Sequence, residues 1–325
     1  MRILIWHVHG SWTTAFVQGA HTYLVPVVAD RGPEGRGRAQ TFPWPTRVLE
    51  VTPEQLADEA VDVVVVQRPL DLELADRWLG GRLPGRDLPC IWLEHNAPQG
   101  RIADLRHPAA DRSDLVVVHV THTNALFWDT GCTRTRVIEH GIVDPGHRFT
   151  GEVARAAVVV NEPVRRGRVT GTDLLPGFAA AAPLDVFGMG VDELPAALGP
   201  RRSGGDVTLR CFEDVPQAEL HRELARRRVY LHPYRWTSLG LALLEAMFLG
   251  LPVVALATTE VPSVVPAAAG TVSNDPVRLQ RAVQRLLADP ELAAAAGCAA
   301  RAAVHDRFAL DRFLSDWDQL LEEIT

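Results

Sequence analysis

Lysine is absent from all 325 residues, so the 33 lysine-plus-arginine positions are arginine alone. This absence excludes Schiff-base chemistry on a lysine amine and the phosphate-binding lysine of a P-loop. Basic blocks are missing too, and the formal net charge is -7. Because a general nucleic-acid surface needs clustered cations to neutralise phosphates, we expect no nucleic-acid partner.

Cysteine is scarce, and no pair has C-x-x-C spacing. The four residues, Cys90, Cys132, Cys211 and Cys298, therefore give little support to a zinc cage or a dithiol motif, and we expect reduced, mostly buried thiols. No long hydrophobic run is present either: none approaches the ~20 residues that cross a bilayer. The first residues lack a signal-peptide core and cleavage site. These features predict a cytoplasmic protein without a transmembrane segment, and they leave peripheral membrane contact open.

What the chain does have is the composition of a folded protein, with 47% hydrophobic and 22% charged residues. Its length suits two domains, each large enough for its own core. Short β-rich runs alternate with helical patterns, as a parallel sheet with crossover helices requires. In the first half the predicted strands are 2–8, 22–28, 61–67, 89–95, 115–120 and 136–140. Helices are predicted from the Gly10 turn, from Thr52 with a capping box, at 71–79 and at 123–130.

The pattern restarts after residue 142. Predicted strands are 156–161, 184–188, 207–212, 229–233 and 252–256, and predicted helices are 216–227, 238–249, 276–288, 290–304 and 310–323. We place a linker at about 142–154 and the domains at 1–148 and 152–309, with the last helix, 310–325, a candidate to pack back on the first domain. This predicts an α/β protein with two Rossmann-like domains, whose parallel sheets face a central cleft.

A loop rich in Gly, Pro and Arg separates two early strands, at residues 30–45. Long loops at a sheet edge often hold acceptors or lipids, and a solvated surface loop is the plainer interpretation.

The pattern of the segment from Leu231 to Ala255 predicts a strand, a loop, a helix, a glycine turn and a second strand, in that order. Ser238 is a candidate helix cap, and the amides at Leu239, Gly240 and Leu241 can meet a phosphate with the helix dipole behind them. Gly240 lets a ligand approach the backbone closely.

Glu245 lies about two turns into the helix, on an otherwise apolar face. An unpaired carboxylate is costly there, so Glu245 needs a partner. A ribose diol is one candidate, and a structural bond to the backbone is the other.

This segment resembles the donor-site motif of retaining GT-B glycosyltransferases of family 4, the glycosyl transferases group 1, usually written E-G-F-G-x-x-x-x-E-A-M-A-x-G-x-P-V-V-A. Nearly all of residues 156–325 resembles that family. The first half resembles it more loosely, through Leu93-Glu94-His95-Asn96 and through the end of the first domain near residue 140. The resemblance implies the GT-B fold, with residues 1–148 on the acceptor side and 152–309 binding the nucleotide sugar.

The family's functional residues carry over by position. Glu245 aligns with the residue on the nucleotide ribose, and the amides of Leu239 to Leu241 with those on the diphosphate. Arg165 aligns with the phosphate-binding arginine, and His95 with the histidine near the acceptor and sugar. In the first half, Gly10 and Ser11 resemble the glycine loop that approaches the donor phosphates.

Two positions depart from the family. Thr237 replaces the first glutamate of the E-x7-E pair, so the carboxylate that usually contacts the sugar hydroxyls in the family is missing. The resemblance still implies that Thr237 and Ser238 belong to the donor-binding residues. Thr170 replaces the family lysine, which leaves Arg166 or Arg168 to supply its charge. Either the donor sugar is held differently or transfer has been lost.

The resemblance implies a retaining, metal-independent hexosyltransferase that uses a nucleotide diphosphate sugar as co-substrate, needs no cofactor and holds no metal. The acceptor, whether a glycan, a lipid-linked sugar or a small molecule, stays open. Alternatives are a nucleotide-sugar-binding protein without activity, and a GT-B epimerase or hydrolase.

Overall fold

Runs of valine, isoleucine and leucine form the strands of two parallel sheets, one in each half of the chain. The computed structural model describes residues 1–199 and 209–325. The chain forms two units, Met1–Val143 with Leu310–Thr325, and Asp144–Ala309. The predicted α/β class with two parallel sheets is confirmed.

The first sheet has seven strands in the order β3-β2-β1-β4-β5-β6-β7. Its central strand, Val63–Val66, is wholly buried, because helices cover both faces of the sheet and leave no polar side. The elements are β1 (Arg2–Ile5), α1 (Gly10–Phe16), β2 (Thr22–Pro26), β3 (Val48–Val51), α2 (Pro53–Leu56), β4 (Val63–Val66), α3 (Pro69–Trp78), β5 (Cys90–Glu94), β6 (Val116–His119), α4 (His122–Phe127) and β7 (Arg134–Val137).

The second sheet has six strands in the order β10-β9-β8-β11-β12-β13. Its elements are β8 (Val153–Val159), α5 (Pro163–Arg166), α6 (Leu175–Ala181), β9 (Leu184–Gly188), α7 (Leu194–Ala197), β10 (Leu209–Glu213), α8 (Gln217–Arg226), β11 (Arg227–His232), α9 (Leu241–Leu249), β12 (Val253–Ala255), α10 (Val261–Val264), β13 (Gly270–Val272), α11 (Pro276–Ala288) and α12 (Pro290–His305). The first two residues of the predicted strand 207–212 lie outside the described residues.

The chain ends in α13 (Leu310–Ile324), which belongs to the first unit. Its Phe313 and Trp317 are buried edge-on against Trp12 of α1, with ring centroids 5.7 and 5.6 Å away. Gly141 is needed beside this helix, because a Cβ there would lie 2.4 Å from Cβ of Phe313. Burial of large aromatic rings fixes the last helix on the first unit.

Each sheet has a point where the strand order reverses, between β1 and β4 in the first and between β8 and β11 in the second. In open α/β sheets, ligands bind outside the carboxyl ends of the strands at such a point. The segments that follow these four strands are therefore the places to look for a site.

The expectation about the cysteines needs correction. Cys90 is buried, but Cys211 is half-buried and Cys132 and Cys298 are exposed, so the expectation of mostly buried thiols is wrong. All four are free, without a disulfide. Within the described ranges, no helix is long and apolar enough to cross a membrane.

Candidate functional site

Helix α9 begins at the strand-order reversal of the second sheet, after the carboxyl end of β11. Its N-cap is Gly240, and no side chain caps it. In the part of the chain that the structure describes, the backbone N–H groups of Gly240, Leu241 and Ala242 make no hydrogen bond. These donors, with the positive end of the helix dipole behind them, form a place for an anion.

Ser238 does not cap α9, contrary to the expectation. The helix starts three residues later, at Leu241, so Ser238 lies ahead of the N-cap, and its side chain is buried. A capping side chain has to belong to the N-cap residue itself to reach the first-turn amides. The N-cap here is a glycine, and the amides stay uncapped. Thr237 is half-buried beside Ser238, and Leu239 is buried.

Gly240 also has a packing role that the sequence did not reveal. A Cβ at this position would lie 2.7 Å from Cε1 of His232, so any larger residue would displace the ring. His232 is 1% exposed and stacks on Tyr234, with ring centroids 4.6 Å apart. Burial lowers the pKa of His232 to about 3, which keeps the imidazole neutral.

Glu245 is buried, and within residues 1–199 and 209–325 its two hydrogen-bond donors both come from α8. Nε2 of Gln217 donates to Oε1 at 3.0 Å, and Nε2 of His221 donates to Oε2 at 3.1 Å. The partner expected on sequence grounds was a ribose or the backbone, and the structure adds these two side chains. Their i, i+4 spacing was the signal available in the sequence, since it places both on one face of a helix.

The arginines near the carboxyl end of β8 differ in how freely they could meet a phosphate. Arg165 is on α5, its side chain is 73% exposed, and Nε lies 3.5 Å from the Glu162 carboxylate. Arg168 is closer to an acid: its Nη1 donates to Asp173 at 2.8 Å. Asp173 also receives two bonds from Arg235. Arg165 therefore makes the longer contact with a carboxylate, whereas Arg168 is hydrogen-bonded to one.

Thr170, at the family lysine position, contributes no charge. Its side chain is buried, and Oγ1 donates to the carbonyl of Gly167 at 3.0 Å. The same hydroxyl lies 3.0 Å from Oγ1 of Thr172. Nearby, Arg166 places its guanidinium 5.6 Å from the centre of the Tyr234 ring. The loop after β8 is thus ordered by local bonds around a polar, uncharged threonine.

In the first unit, Gly10 and Ser11 begin α1, which follows the carboxyl end of β1. The loop 30–45 packs over this turn, because a Cβ on Gly10 would lie 3.0 Å from Cε2 of Phe42. Trp44 of the same loop is buried and donates from Nε1 to Oγ1 of Thr14 at 2.8 Å. The plainer interpretation of a purely solvated loop is therefore wrong for Trp44.

His95 follows β5 and is buried beside the same turn. Its Nε2 lies 3.1 Å from Oε1 of Gln67, whose Nε2 donates to the carbonyl of Trp6 at 2.7 Å. The ring of His9 lies 4.0 Å away between centroids. Burial lowers the pKa of His95 well below its usual value and that of His9 to about 4. Both rings are therefore neutral at pH 7, so His95 can hold a hydroxyl but carries no charge.

The hydrogen bonds of Glu94 in the first unit were not predicted. Oε2 of Glu94 accepts a hydrogen bond from Nε2 of His107 at 3.1 Å, and Oε1 accepts one from the Asn96 amide at 2.6 Å. His107 is 2% exposed. Both bonds fix the segment that leads from β5 into His95.

Comparison with known proteins bears on these residues. Residues 174–289 match the sequence profile of glycosyl transferases group 1. The comparison with curated proteins found no match. Among solved structures, sucrose-phosphate synthase (tll1590) from Thermosynechococcus elongatus is similar at a TM-score of 0.70 and 16% identity, covering 99% of this chain and 98% of its own.

Two further structures are similar over whole chains. Alr3699/HepE from Anabaena, solved in complex with UDP-glucose, has a TM-score of 0.68 and 14% identity, covering 99% of this chain and 100% of its own. A glycosyltransferase from Rickettsia africae ESF-5 has a TM-score of 0.68 and 13% identity, covering 99% and 97%. This chain has the GT-B fold. Together with the profile match, the GT-B fold supports a glycosyltransferase.

The profile match spans the segment from the end of the β8 loop to the end of α11. It therefore includes the uncapped start of α9, Glu245 and its two partners on α8. Arg165 and Arg168 lie just before it, and Gly10, Ser11 and His95 belong to the first unit. Among the residues that the structure places, no group of three or more His, Cys, Asp or Glu side chains is arranged to hold a metal ion.

Proposed function

We propose that the chain moves a hexose-type sugar from a nucleoside diphosphate sugar to an acceptor, with retention of anomeric configuration and without a metal ion. The observation that carries the proposal is the match of residues 174–289 to glycosyl transferases group 1, because that segment contains both the uncapped amides of α9 and the buried Glu245. Anabaena Alr3699/HepE, which shares the GT-B fold, was solved with UDP-glucose. This supports a nucleotide sugar as the donor here.

The diphosphate would lie at the start of α9, on the amides of Gly240, Leu241 and Ala242. The exposed Arg165, whose Nε lies 3.5 Å from the Glu162 carboxylate, would add the positive charge that a metal supplies elsewhere. Glu245 would accept hydrogen bonds from the ribose. These contacts stabilise the charge that develops on the leaving diphosphate, and such preorganised stabilisation is a large term in catalysis.

In the transfer step, the bond between the anomeric carbon and the diphosphate oxygen breaks, and its electron pair leaves with the diphosphate. The sugar passes through an oxocarbenium-like state, as in glycoside chemistry generally. The acceptor oxygen forms the new bond on the same face, and its proton passes to the leaving phosphate oxygen. His95, a buried neutral imidazole, would position the sugar or acceptor and would not act as an obligatory base.

One alternative draws on two residues. Thr237 brings no carboxylate to the sugar side, and Thr170 is a buried, locally bonded hydroxyl in place of a cation. Both favour a protein that binds a nucleotide sugar without transferring it. An epimerase or a hydrolase is the third option.

The test begins with thermal shift on a panel of nucleoside diphosphates, which identifies the base. Donor consumption is then measured with and without acceptors. A transferase consumes donor only when an acceptor is present, a hydrolase needs none, and a binding protein consumes nothing. Retention is checked by following the anomeric proton of the product by NMR, where an inverted product would contradict the proposal.

A further inference from the structure

Glu245 is held between two donors that both come from α8. Gln217 is the first residue of that helix and is half-buried, and His221 is one turn later and 9% exposed. The two hydrogen bonds, at 3.0 and 3.1 Å, each end on a different carboxylate oxygen. The carboxylate is thereby fixed in its rotation as well as its position.

The buried face of α8 contains one polar residue, His221. His221, Leu224 and Ala225 are the buried residues of the helix, and His221 is the polar one among them. A polar side chain in that position needs a hydrogen-bond partner, and Glu245 is the partner that the structure provides. The pair is therefore a built polar contact between α8 and α9 within an otherwise apolar layer.

Counting acceptor sites shows what the carboxylate can still do. A carboxylate offers about four lone-pair sites, and the two α8 donors use one on each oxygen. Among the residues that the structure describes, no other donor bonds to this carboxylate, so one site on each oxygen remains. A ribose carries two adjacent hydroxyls with one donor each, so the count of remaining acceptors equals the count of ribose donors.

We infer that Gln217 and His221 are positioning residues that hold Glu245 for a bidentate contact with a ribose diol, and that they make the site select ribonucleotides over 2′-deoxyribonucleotides. This inference rests on the proposed function, since it presumes a nucleoside diphosphate at the start of α9. It adds residues from a neighbouring helix and a specificity that the proposed function does not contain.

The expected selectivity follows from what a missing hydroxyl leaves behind. A deoxyribose leaves one carboxylate acceptor without its donor, and an unpaired buried acceptor is costly. We expect the wild type to bind the ribonucleotide about tenfold to a hundredfold more tightly than the 2′-deoxy form. Without its α8 donors, the carboxylate can rotate toward a single hydroxyl, so the preference should fall to about threefold or less.

The experiment measures dissociation constants by calorimetry for UDP and 2′-deoxy-UDP, or for the ADP or GDP pair if thermal shift shows that base to bind best. The variants are His221→Leu and Gln217→Met, which keep volume and remove the donors. Arg222→Gln, on the exposed face of the same helix, is the matched control. His221→Gln restores a donor and should recover much of the preference.

The readout is the ratio of the two constants. A merely structural role lowers the fraction of folded protein and leaves this ratio unchanged, because both nucleotides report on the same folded molecules. A ratio that falls to about threefold or less in both variants, with the ratio of Arg222→Gln unchanged from the wild type, supports the inference. If His221→Leu does not fold, Gln217→Met alone decides.

The outcomes separate this inference from the proposed function. A wild type that binds no nucleoside diphosphate of the panel contradicts both. A wild type that binds the ribose and deoxyribose forms equally contradicts the ribose contact of Glu245 and this inference with it. A wild type that discriminates, together with donor-less variants that discriminate equally well, overturns this inference alone.

Discussion

Replacing Glu245 by glutamine removes its charge and keeps its shape, so it separates an anchoring carboxylate from a structural one. In the folded protein the Glu245 carboxylate accepts a hydrogen bond from Gln217 on one oxygen and from His221 on the other. A glutamine can keep both contacts. Its carbonyl accepts from Gln217, and its NH2 donates to His221 once the imidazole adopts the tautomer with an unprotonated Nε2. The cost to folding should therefore be small.

The cost to nucleotide binding should be larger. The amide NH2 of Glu245→Gln presents a donor where a ribose hydroxyl needs an acceptor, and the remaining hydrogen bond loses its charge assistance. We expect a loss of ~1.5–3 kcal/mol in binding the nucleoside diphosphate. This corresponds to roughly tenfold to over a hundredfold in affinity.

Calorimetry on the variant, with thermal unfolding as a folding check, measures this directly. Thr237→Ala, in the loop just before the same helix, is the control: it should barely change binding of the free nucleotide and should weaken binding of the sugar-bearing donor. Wild-type nucleotide affinity in a folded Glu245→Gln protein would show that Glu245 does not bind the ribose. It would make the carboxylate a structural link between α8 and α9.

Three further predictions concern metal dependence, the charge near Arg168, and stability at low pH. EDTA should leave turnover intact if, as we propose, arginine and helix amides bind the diphosphate in place of a metal ion; loss of turnover that Mg²⁺ or Mn²⁺ restores would contradict this. Asp173→Asn should release Arg168 and Arg235, and so tighten nucleoside diphosphate binding by up to about fivefold at low salt; unchanged or weaker affinity would show that Asp173 does not compete with the ligand. Burial lowers the pKa of His119 from 6.5 to about 4, so the folded state resists protonation and its stability should fall as the pH drops from 6.5 toward 4. His119→Leu should reduce that slope by up to ~1.4 kcal/mol per pH unit in denaturant titrations, and an unchanged slope would show that His119 is not the source.

The sequence predicted best the elements whose signals are local. The helix predicted at 276–288 has those bounds in the structure, as Pro276–Ala288, because an aspartate cap, a first-turn proline and an apolar stripe all agree. The capping box from Thr52 to Gln55 is present as well. The strands β3 and β13 were missed, since each is short and at a sheet edge, where little of the pattern is buried.

Without the family resemblance, the sequence pattern predicted only the part of the candidate site whose residues follow one another along the chain. The segment from β11 to α9 was found because strand, loop and helix are continuous. Gln217 and His221 were not linked to Glu245, because they are more than twenty residues away in sequence and meet it through the packing of α8 on α9. The N-cap of α9 was predicted two residues too early, at Ser238 instead of Gly240, because the helix start depends on the backbone around Gly240, which the sequence pattern does not determine.

Sugar transfer by this protein can be tested by NMR of an incubation with donor. The protein is mixed with nucleoside diphosphate sugars whose base the binding panel has identified, with and without glycan, lipid-linked and small-molecule acceptors. We expect release of nucleoside diphosphate only when an acceptor is present, and a product that keeps the donor's anomeric configuration. Donor that stays intact with every acceptor, or that is hydrolysed equally without one, would contradict it.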